Sequence, residues 1–378
     1  MADPDPQRLP VRAPRRVLAC GAFLKNRAGL LDGDRFWWSP LHGDLGTPEA
    51  CMSLARSLQA LVDRAGGRID AVAHDLHPDF DSTRQALRWA HELGLPAIAV
   101  QHHHAHAALL QAEQGVDDDR PLLALTLDGV GLGSDGGAWG GELLLLRGPA
   151  WRRVAHLGEL RLPGGDVAAR EPWRLVAALL HAAGRGNEID GRLSPIVGPA
   201  LARGVQQMLQ RDLNCPRSTA AGRWFDAAAG VLGLSVRQAH EAEAALALER
   251  AATDWLQIHP APPLPAPSLD LLPLVDALWQ ETDPGRGAAR FHLALADGLV
   301  QAAVQAAPDS GARSVALGGG CFFNRLLDRT VADGLQRAGL QVLRPQAGCG
   351  DAGLALGQAW ATALQLATVD QPALTLET

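Results

Sequence analysis

Short apolar runs alternate with amphipathic stretches along most of the chain, a pattern typical of an α/β protein. Continuous apolar runs at 17–24, 122–129 and 314–320 predict buried strands, and each ends in a polar or glycine-rich turn. Amphipathic spacing predicts helices over 47–65, 81–93, 288–307 and 324–338. The first of these begins with Thr47-Pro48-Glu49, where threonine is a capping residue and proline occupies the first turn.

One order of elements occurs twice: an opening strand with a polar turn, a short antiparallel pair, a helix, and then two strand-to-helix units. By position, the strands pair as 17–26 with 123–131, 71–79 with 314–322, and 97–104 with 340–348. This duplication predicts two similar α/β lobes that face a cleft. In open α/β sheets, ligands bind beyond the carboxyl ends of the strands, and the unusual residues of this chain lie at those ends.

The predicted organisation is a polar, proline-containing lead, two lobes and a tail. Its segments are a disordered lead over 1–14, lobe I over 15–118, lobe II over 119–350 with a helical insertion around 165–290, a helix over 351–368 that packs back onto lobe I, and a tail over 369–378.

The composition argues against several classes of protein. The net charge is −7 and no run rich in lysine or arginine occurs, so nucleic acid is not an expected partner. No apolar run is long enough to cross a bilayer and the N-terminus has no apolar signal region, so we expect a cytoplasmic protein without a membrane partner. The five cysteines form no C-x-x-C pair, which argues against a zinc knuckle and favours a reducing compartment.

The segment VQHHHAH at 100–106 is the first candidate for chemistry. His102 and His106 are four residues apart, so a helix would place both rings on one face as a pair of metal ligands. Asp128 ends a predicted strand and Asp351 begins the last helix, where each could also be a turn or capping residue. Two histidines and two aspartates at four such junctions predict a site for a divalent ion such as iron or zinc.

Three glycine-rich stretches are typical of phosphate or nucleotide contacts, because backbone amides next to glycine can approach phosphate oxygens closely. They lie at 127–142, 162–166 and 317–325. None is a Walker loop, which argues against the commonest class of nucleotide hydrolase. Asp226 could contact a ribose hydroxyl or could be a solvated or capping residue.

No internal nucleophile is evident in the sequence. The motif G-x-S-x-G is absent. Cys321 follows three glycines, whose amides could lower the pKa of its thiol, although burial is the usual fate of cysteine. Lys25 is the only lysine of the chain, which indicates either a chemical requirement or a chance survivor of a bias toward arginine.

Several long motifs together resemble the carboxy-terminal module of the HypF carbamoyltransferase family of [NiFe]-hydrogenase maturation. The resemblance covers about residue 15 to residue 368, and its motifs are HDLHPDFDSTR, VQHHHAHAALL, LDGVGLGSDGGAWGGEL, LPGGDVAAREPWR, LGGGCFFNRLL and GDAGLALGQAW. It implies a two-lobed fold of the actin/sugar-kinase/Hsp70 superfamily, similar to the tRNA threonylcarbamoyl-adenosine synthesis proteins. It also implies transfer of a carbamoyl group from carbamoyl-adenylate, made from carbamoyl phosphate and ATP, to the C-terminal cysteine of the partner HypE.

The resemblance also implies residue roles by matching motifs. Metal ligands are His102, His106, Asp128 and Asp351; nucleotide contacts are Gly164, Gly165, Asp166, Gly222, Asp226, Gly319, Gly320 and Asn324; and catalytic residues are Lys25, His102 and Asp128. The implied cofactor is iron or zinc, with ATP, AMP or carbamoyl-adenylate as the bound nucleotide.

Two departures from the family pattern stand out. The chain has no acylphosphatase-like domain, zinc-finger motifs or adenylate-forming domain, so it is expected to be a naturally truncated form or an excised module. LGGGCFFN replaces the usual LSGGCFQN, which is expected to alter one polar contact near the nucleotide. The alternatives are a small-molecule O-carbamoyltransferase, a tRNA-modifying protein or a sugar or acetate kinase of the same superfamily, and a non-catalytic nucleotide-binding scaffold for HypE.

Overall fold

Two mixed β-sheets, each covered by helices, are the framework of the chain. The computed structural model describes residues 5–116, 120–346 and 350–369. The strands are β1 (Gln7–Arg8), β2 (Val17–Ala19), β3 (Gly29–Asp32), β4 (Arg35–Trp38), β5 (Ala71–Asp75), β6 (Ala97–Val100), β7 (Leu122–Leu132), β8 (Ala138–Arg147), β9 (Ala150–His156), β10 (Leu160–Arg161), β11 (Arg217–Ser218), β12 (Ser314–Gly318) and β13 (Gln341–Leu343).

The helices surround these sheets, and most of those between β10 and β12 belong to one largely helical segment. They are α1 (Pro48–Ala65), α2 (Asp81–Leu93), α3 (His102–Gln114), α4 (Val167–Arg170), α5 (Pro172–Ala182), α6 (Ile189–Val197), α7 (Pro199–Arg211), α8 (Ala221–Val231), α9 (Glu243–Ile258), α10 (Leu272–Leu278), α11 (Pro284–Ser310), α12 (Arg325–Arg337) and α13 (Leu354–Val369). Short 3₁₀ turns lie at Gly186–Glu188, Gly320–Phe323 and Asp351–Gly353. No described helix has the length and apolar character needed to cross a membrane.

Five strands of each sheet follow the same order, β4-β3-β2-β5-β6 in the first sheet and β9-β8-β7-β12-β13 in the second. The first runs β1-β4-β3-β2-β5-β6, and the second runs β10-β11-β8-β7-β12-β13 with β9 also paired to β8. In the first sheet, β2 pairs antiparallel with β3 and parallel with β5, which pairs parallel with β6. In the second, β7 pairs antiparallel with β8 and parallel with β12, which pairs parallel with β13. The duplicated two-lobed α/β fold predicted from the sequence is therefore confirmed.

The lead is ordered where the structure describes it, so the prediction of a disordered segment over 1–14 is wrong for residues 5–14. Strand β1 pairs antiparallel with β4, with Gln7 opposite Phe36. Leu9 and Ala13 are buried, and the Leu9 amide donates to the Asp34 carbonyl oxygen at 2.8 Å. The backbone hydrogen bonds and the apolar burial offset the cost of ordering this segment. Residues 1–4 and 370–378, within the predicted lead and tail, lie outside the described residues.

The chain returns to the first lobe at its last described helix. Helix α13 packs against α3 and on β2, β3 and β5. Its buried residues Leu354, Leu356 and Trp360 share an apolar core with Val17 and Ala73 of the first sheet.

A glycine allows the close approach of α13 to α3. A Cβ atom on Gly357 would lie 1.8 Å from the Ala105 carbonyl oxygen, so only glycine fits at this crossing. The packing of these two helices places the segment 102–106 next to the start of α13.

Candidate active site

Two histidines and two aspartates meet between the lobes. His102 and His106 lie on the first two turns of α3, Asp128 lies in β7, and Asp351 lies in the 3₁₀ turn before α13. One donor atom of each lies within 4.8 Å of the others. His106 Nε2 is 3.1 Å from Asp128 Oδ2 and 3.6 Å from Asp351 Oδ1. His102 Nε2 is 3.7 Å from Asp351 Oδ1 and 3.9 Å from Asp128 Oδ2.

The donor set fits a divalent ion. His106 Nε2 and Asp128 Oδ2 are buried and have no hydrogen-bond partner within the described part of the chain. A buried donor or acceptor without a partner is costly, and coordination would satisfy both atoms. Imidazole nitrogen with carboxylate oxygen is a set that suits zinc or iron.

Asp75 orients one of the candidate ligands. Its Oδ2 lies 2.8 Å from His102 Nδ1, so Nδ1 donates to this carboxylate and Nε2 is the nitrogen that faces the cluster. Asp75 Oδ1 in turn accepts the His77 backbone amide at 2.9 Å. Asp75 ends β5, the strand next to the one that leads into α3.

The carboxylates dominate the electrostatics of the cluster. Burial opposes protonation of His102, but the nearby Asp351 and Asp75 outweigh it and raise the pKa of His102 well above its usual value. Burial likewise opposes ionisation of Asp351, but the adjacent His102 and His106 hold the pKa of Asp351 far below its ordinary value. The ion-free cluster therefore retains protons on the imidazoles and negative charge on the carboxylate, a state that a divalent cation would replace.

His103 and His104 point away from this cluster, as the helical spacing predicts. The ring of His104 stacks on Trp151 with centroids 5.0 Å apart, and burial lowers the pKa of His104 to about 3. The ring of His103 lies 6.3 Å from that of Trp139, and its pKa is also lowered by burial. Both are neutral packing residues of the second lobe's interface with α3.

A cavity of about 240 Å³ opens beside the cluster. Its lining includes Asp128 from the cluster and reaches across to Lys25 and Glu241. Lys25 has a left-handed backbone (φ 45°), and its amide donates to Asp44 Oδ1 at 2.8 Å. Lys25 Nζ, on a half-exposed side chain, lies 3.4 Å from the Glu241 carboxylate, so the two lobes touch across the cavity mouth.

The residues predicted to contact a nucleotide divide into two groups. Gly222, Asp226, Gly320 and Asn324 line this cavity. Gly319 does not line the cavity but packs against β7: a Cβ atom there would lie 2.4 Å from the Leu127 carbonyl oxygen, so no side chain fits at this position. The backbone amide of Gly320 donates to Asp128 Oδ1, which links the glycine turn to the candidate metal ligand.

Gly164, Gly165 and Asp166 are not part of this lining. The Gly164 amide donates to the Asn214 carbonyl oxygen at 2.8 Å, and the Gly165 amide donates to that of Leu162 at 2.9 Å. Their positive φ values, 92° and 61°, explain the two glycines as turn residues. A nucleotide-binding role for this segment stays a prediction.

Asp226 lies beneath the cavity in a buried polar cluster. Its Oδ1 accepts Gln238 Nε2 at 3.0 Å, and its Oδ2 lies 2.8 Å from Arg223 Nη1. Burial raises the pKa of Asp226 to about 6, although Arg223 and Gln238 act in the opposite direction.

Cys321 does not have the environment of a nucleophile. Burial raises the pKa of its thiol well above the ordinary value, and Asp128 adds to this rise. The alternative in which neighbouring amides lower this pKa is therefore wrong.

Two polar residues of the site were not found by sequence reasoning. Asp75 lies in the HDLHPDFDSTR motif, and the available signal was a carboxylate at the end of a central parallel strand. Arg223 lies between Gly222 and Asp226, both of which were predicted; it was missed because arginine is frequent in this chain.

The strand order and the histidine–aspartate cluster between the lobes define a class: two-lobed α/β proteins with duplicated sheets that carry a candidate metal centre in the cleft. Two family models match the chain. The model "HypF Kae1-like domain" matches residues 12–113, and the model "Carbamoyltransferase, Kae1-like Domain, second subdomain" matches residues 124–358. The chain belongs to the HypF carbamoyltransferase family, as its motifs indicate.

Relatives and solved structures agree with this assignment. The chain is 55% identical to the "Carbamoyltransferase HypF homolog" of Cupriavidus necator over 92% of each chain. It is 46% identical to "Carbamoyltransferase HypF2" of the same organism over 93% of this chain but 47% of that protein. A crystal structure of full-length HypF in the phosphate- and nucleotide-bound form superposes with a TM-score of 0.84 at 26% identity, covering 96% of this chain and 48% of that one.

The chain thus spans nearly the whole length of one relative and about half the length of others.

Proposed function

We propose that this chain transfers a carbamoyl group from carbamoyl-adenylate to the thiolate of the C-terminal cysteine of HypE. In this reaction the thiolate attacks the carbamoyl carbon, a carbon–sulfur bond forms, and the carbon–oxygen bond to phosphate breaks so that AMP leaves with the electron pair. Carbamoyl phosphate and ATP are the proposed sources of the adenylate.

The observation that carries the proposal is the buried histidine–aspartate cluster beside the cavity, to which Asp128 contributes a lining residue. His102, His106, Asp128 and Asp351 would hold a divalent iron or zinc ion. When bound, such an ion would supply Lewis acidity toward a carbamoyl or phosphate oxygen.

The chain's own residues would bind and orient the substrate. Gly222 lines the cavity on the first turn of α8, where helix amides have no intrahelical acceptor and could donate to phosphate oxygens. Asp75 holds the His102 ring in one orientation, and Lys25 lines the cavity mouth, where its Nζ lies 3.4 Å from the Glu241 carboxylate. Since the thiol of Cys321 has a raised pKa, an external thiolate is the better nucleophile.

The test is the mass of the HypE C-terminal peptide after incubation with this protein, carbamoyl phosphate and ATP. We expect a carbamoyl adduct on the cysteine, either directly or when an adenylate-forming domain is supplied as a separate protein. His106→Gln and Asp351→Asn should abolish the adduct and lower the bound metal measured by elemental analysis. His91→Ala, which alters an exposed histidine of α2, is the matched control and should change neither.

The proposal fails if wild-type protein loaded with metal and nucleotide gives no adduct, both with carbamoyl phosphate and ATP alone and with an adenylate-forming domain added as a separate protein. The role of the cluster fails separately if His106→Gln and Asp351→Asn retain both the metal and the full rate of transfer.

A further inference from the structure

Arg223 is the more buried of the two cationic side chains, Lys25 and Arg223, that line the cavity. It lies on the first turn of α8, and its side chain is only 15% exposed. Its Nη2 lies 3.6 Å from the position that a Cβ atom on Gly129 would take. Because Gly129 follows Asp128 directly, the guanidinium is adjacent to the candidate metal centre.

The hydrogen-bonding capacity of Arg223 is largely unused. A guanidinium carries five N–H donors. Its ion pair with Asp226 joins Nη1 to a single carboxylate oxygen at 2.8 Å, and Nε has no hydrogen-bond partner among residues 5–116, 120–346 and 350–369. A cation buried next to a cavity with free donors is suited to an anionic oxygen supplied by a ligand.

Asp226 is held in place by residues that do not face the cavity. Gln238 Nε2 donates to Asp226 Oδ1 at 3.0 Å and to the Ala169 carbonyl oxygen at 2.7 Å. Gln238 Oε1 accepts the Ala244 amide at 2.9 Å. The Asp226 side chain is 2% exposed, with Oδ1 hydrogen-bonded to Gln238 and Oδ2 within ion-pair distance of Arg223, so it is better suited to fixing Arg223 than to contacting a ligand hydroxyl.

The surroundings on the other side of the cavity are complementary to a phosphate. Lys25 approaches from lobe I, and Gly129 and Gly222 line the cavity next to Arg223. Each carboxylate that lines the same space already has a role or a partner: Asp128 belongs to the candidate metal centre, Asp226 pairs with Arg223, Glu241 pairs with Lys25, and Glu249 accepts the Arg325 amide. The inner end of the cavity is therefore where a negatively charged group finds donors.

We propose that Arg223 binds the phosphate oxygens of the nucleotide substrate, and that Asp226 is a positioning residue that holds the guanidinium against β7. This inference rests on the proposed function, since it names the group that receives the adenylate's phosphate.

The test compares AMP with adenosine, which lacks the phosphate, by isothermal titration calorimetry on the full chain. Arg223→Gln should weaken the binding of AMP about 10- to 100-fold, the range expected for losing a charge-assisted hydrogen bond, and should leave the binding of adenosine unchanged. Arg223→Lys should bind AMP with an affinity between those of wild type and Arg223→Gln, because lysine keeps the charge but lacks the planar guanidinium. Asp226→Asn should weaken AMP less than Arg223→Gln does. Arg250→Gln, an exposed arginine of α9 outside the lining, is the control.

Titration with inorganic phosphate distinguishes the source of the bound group. If Arg223→Gln weakens binding of AMP but not of inorganic phosphate, Arg223 is assigned to the nucleotide phosphate. If it weakens binding of both ligands, Arg223 is assigned to any phosphate that enters the cavity. Equal losses for AMP and adenosine, or no loss for AMP with unchanged melting temperature and metal content, would overturn the inference. If wild-type protein binds neither nucleotide nor nucleoside, the proposed function itself fails.

Discussion

Replacing Gly357 with alanine tests whether the crossing of α3 and α13 sets the candidate metal centre. In an ordinary helix, glycine to alanine stabilises by about 0.5–1 kcal/mol, because alanine loses less backbone entropy on folding. At this crossing, however, the new methyl group would lie 1.8 Å from the Ala105 carbonyl oxygen, a backbone atom that moves only if the helices separate. Overpacking of a core costs about 1–3 kcal/mol, so we expect the free energy of unfolding to fall by about 2–3 kcal/mol.

Urea denaturation followed by circular dichroism measures this change, and the matched control is Gly204→Ala in α7. A Cβ atom on Gly204 would meet nothing within 4 Å, so this variant should gain about 0.5–1 kcal/mol. Gly357→Ala should also weaken binding of zinc in a chelator competition, because separation of the helices moves Asp351 away from His102 and His106. A Gly357→Ala protein as stable as wild type, with unchanged zinc affinity, would refute the reasoning.

Three further outcomes are expected. Gln358→Leu should cost about 2–4 kcal/mol in urea denaturation, because Gln358 exchanges two buried hydrogen bonds with the Gly21 backbone; a loss below 1 kcal/mol would contradict this. Burial lowers the pKa of His292 to about 4, so as the pH is lowered from 6.5 to 4 the unfolded chain binds more protons at this residue, and His292 should contribute about 3 kcal/mol to the loss of stability. His292→Gln should reduce the slope of stability against pH in this range, to which other buried histidines such as His104 also contribute, and an unchanged slope would exclude a contribution from His292. Chelation should lower the melting temperature, since an ion at 100 times its Kd contributes about 2.7 kcal/mol; the Asp351→Asn protein should show no such shift.

Local patterns were sufficient to predict the elements and their duplication. Apolar runs and helical spacing depend on neighbouring residues, so α2 and the two sheets were found with few boundary errors. The histidines were also predictable, because an i, i+4 pair on a helix faces one direction whatever the rest of the chain does. Asp128 and Asp351 could be proposed as partners because the carboxyl ends of equivalent strands converge in this fold.

Contacts between distant residues could not be predicted in the same way. Asp75 meets His102 only because β5 and β6 pair in one register, and a shift of one residue would direct its side chain elsewhere. Arg223 gains its place from the packing of α8 against β7, where Gly222 lies close to Gly129. Strand β1 is too short to give a periodic signal, and it forms because β4 offers an edge.

The return of α13 to the first lobe has a consequence for biosynthesis. The apolar faces of α3 and the first sheet are complete by residue 116, yet the helix that covers them is made about 250 residues later. At elongation rates of about 5–20 residues per second, the nascent first lobe would wait roughly 10–50 s on the ribosome with that face uncovered. During this interval the emerging chain is a natural client for chaperones, and its final collapse must follow release of the last helix from the exit tunnel.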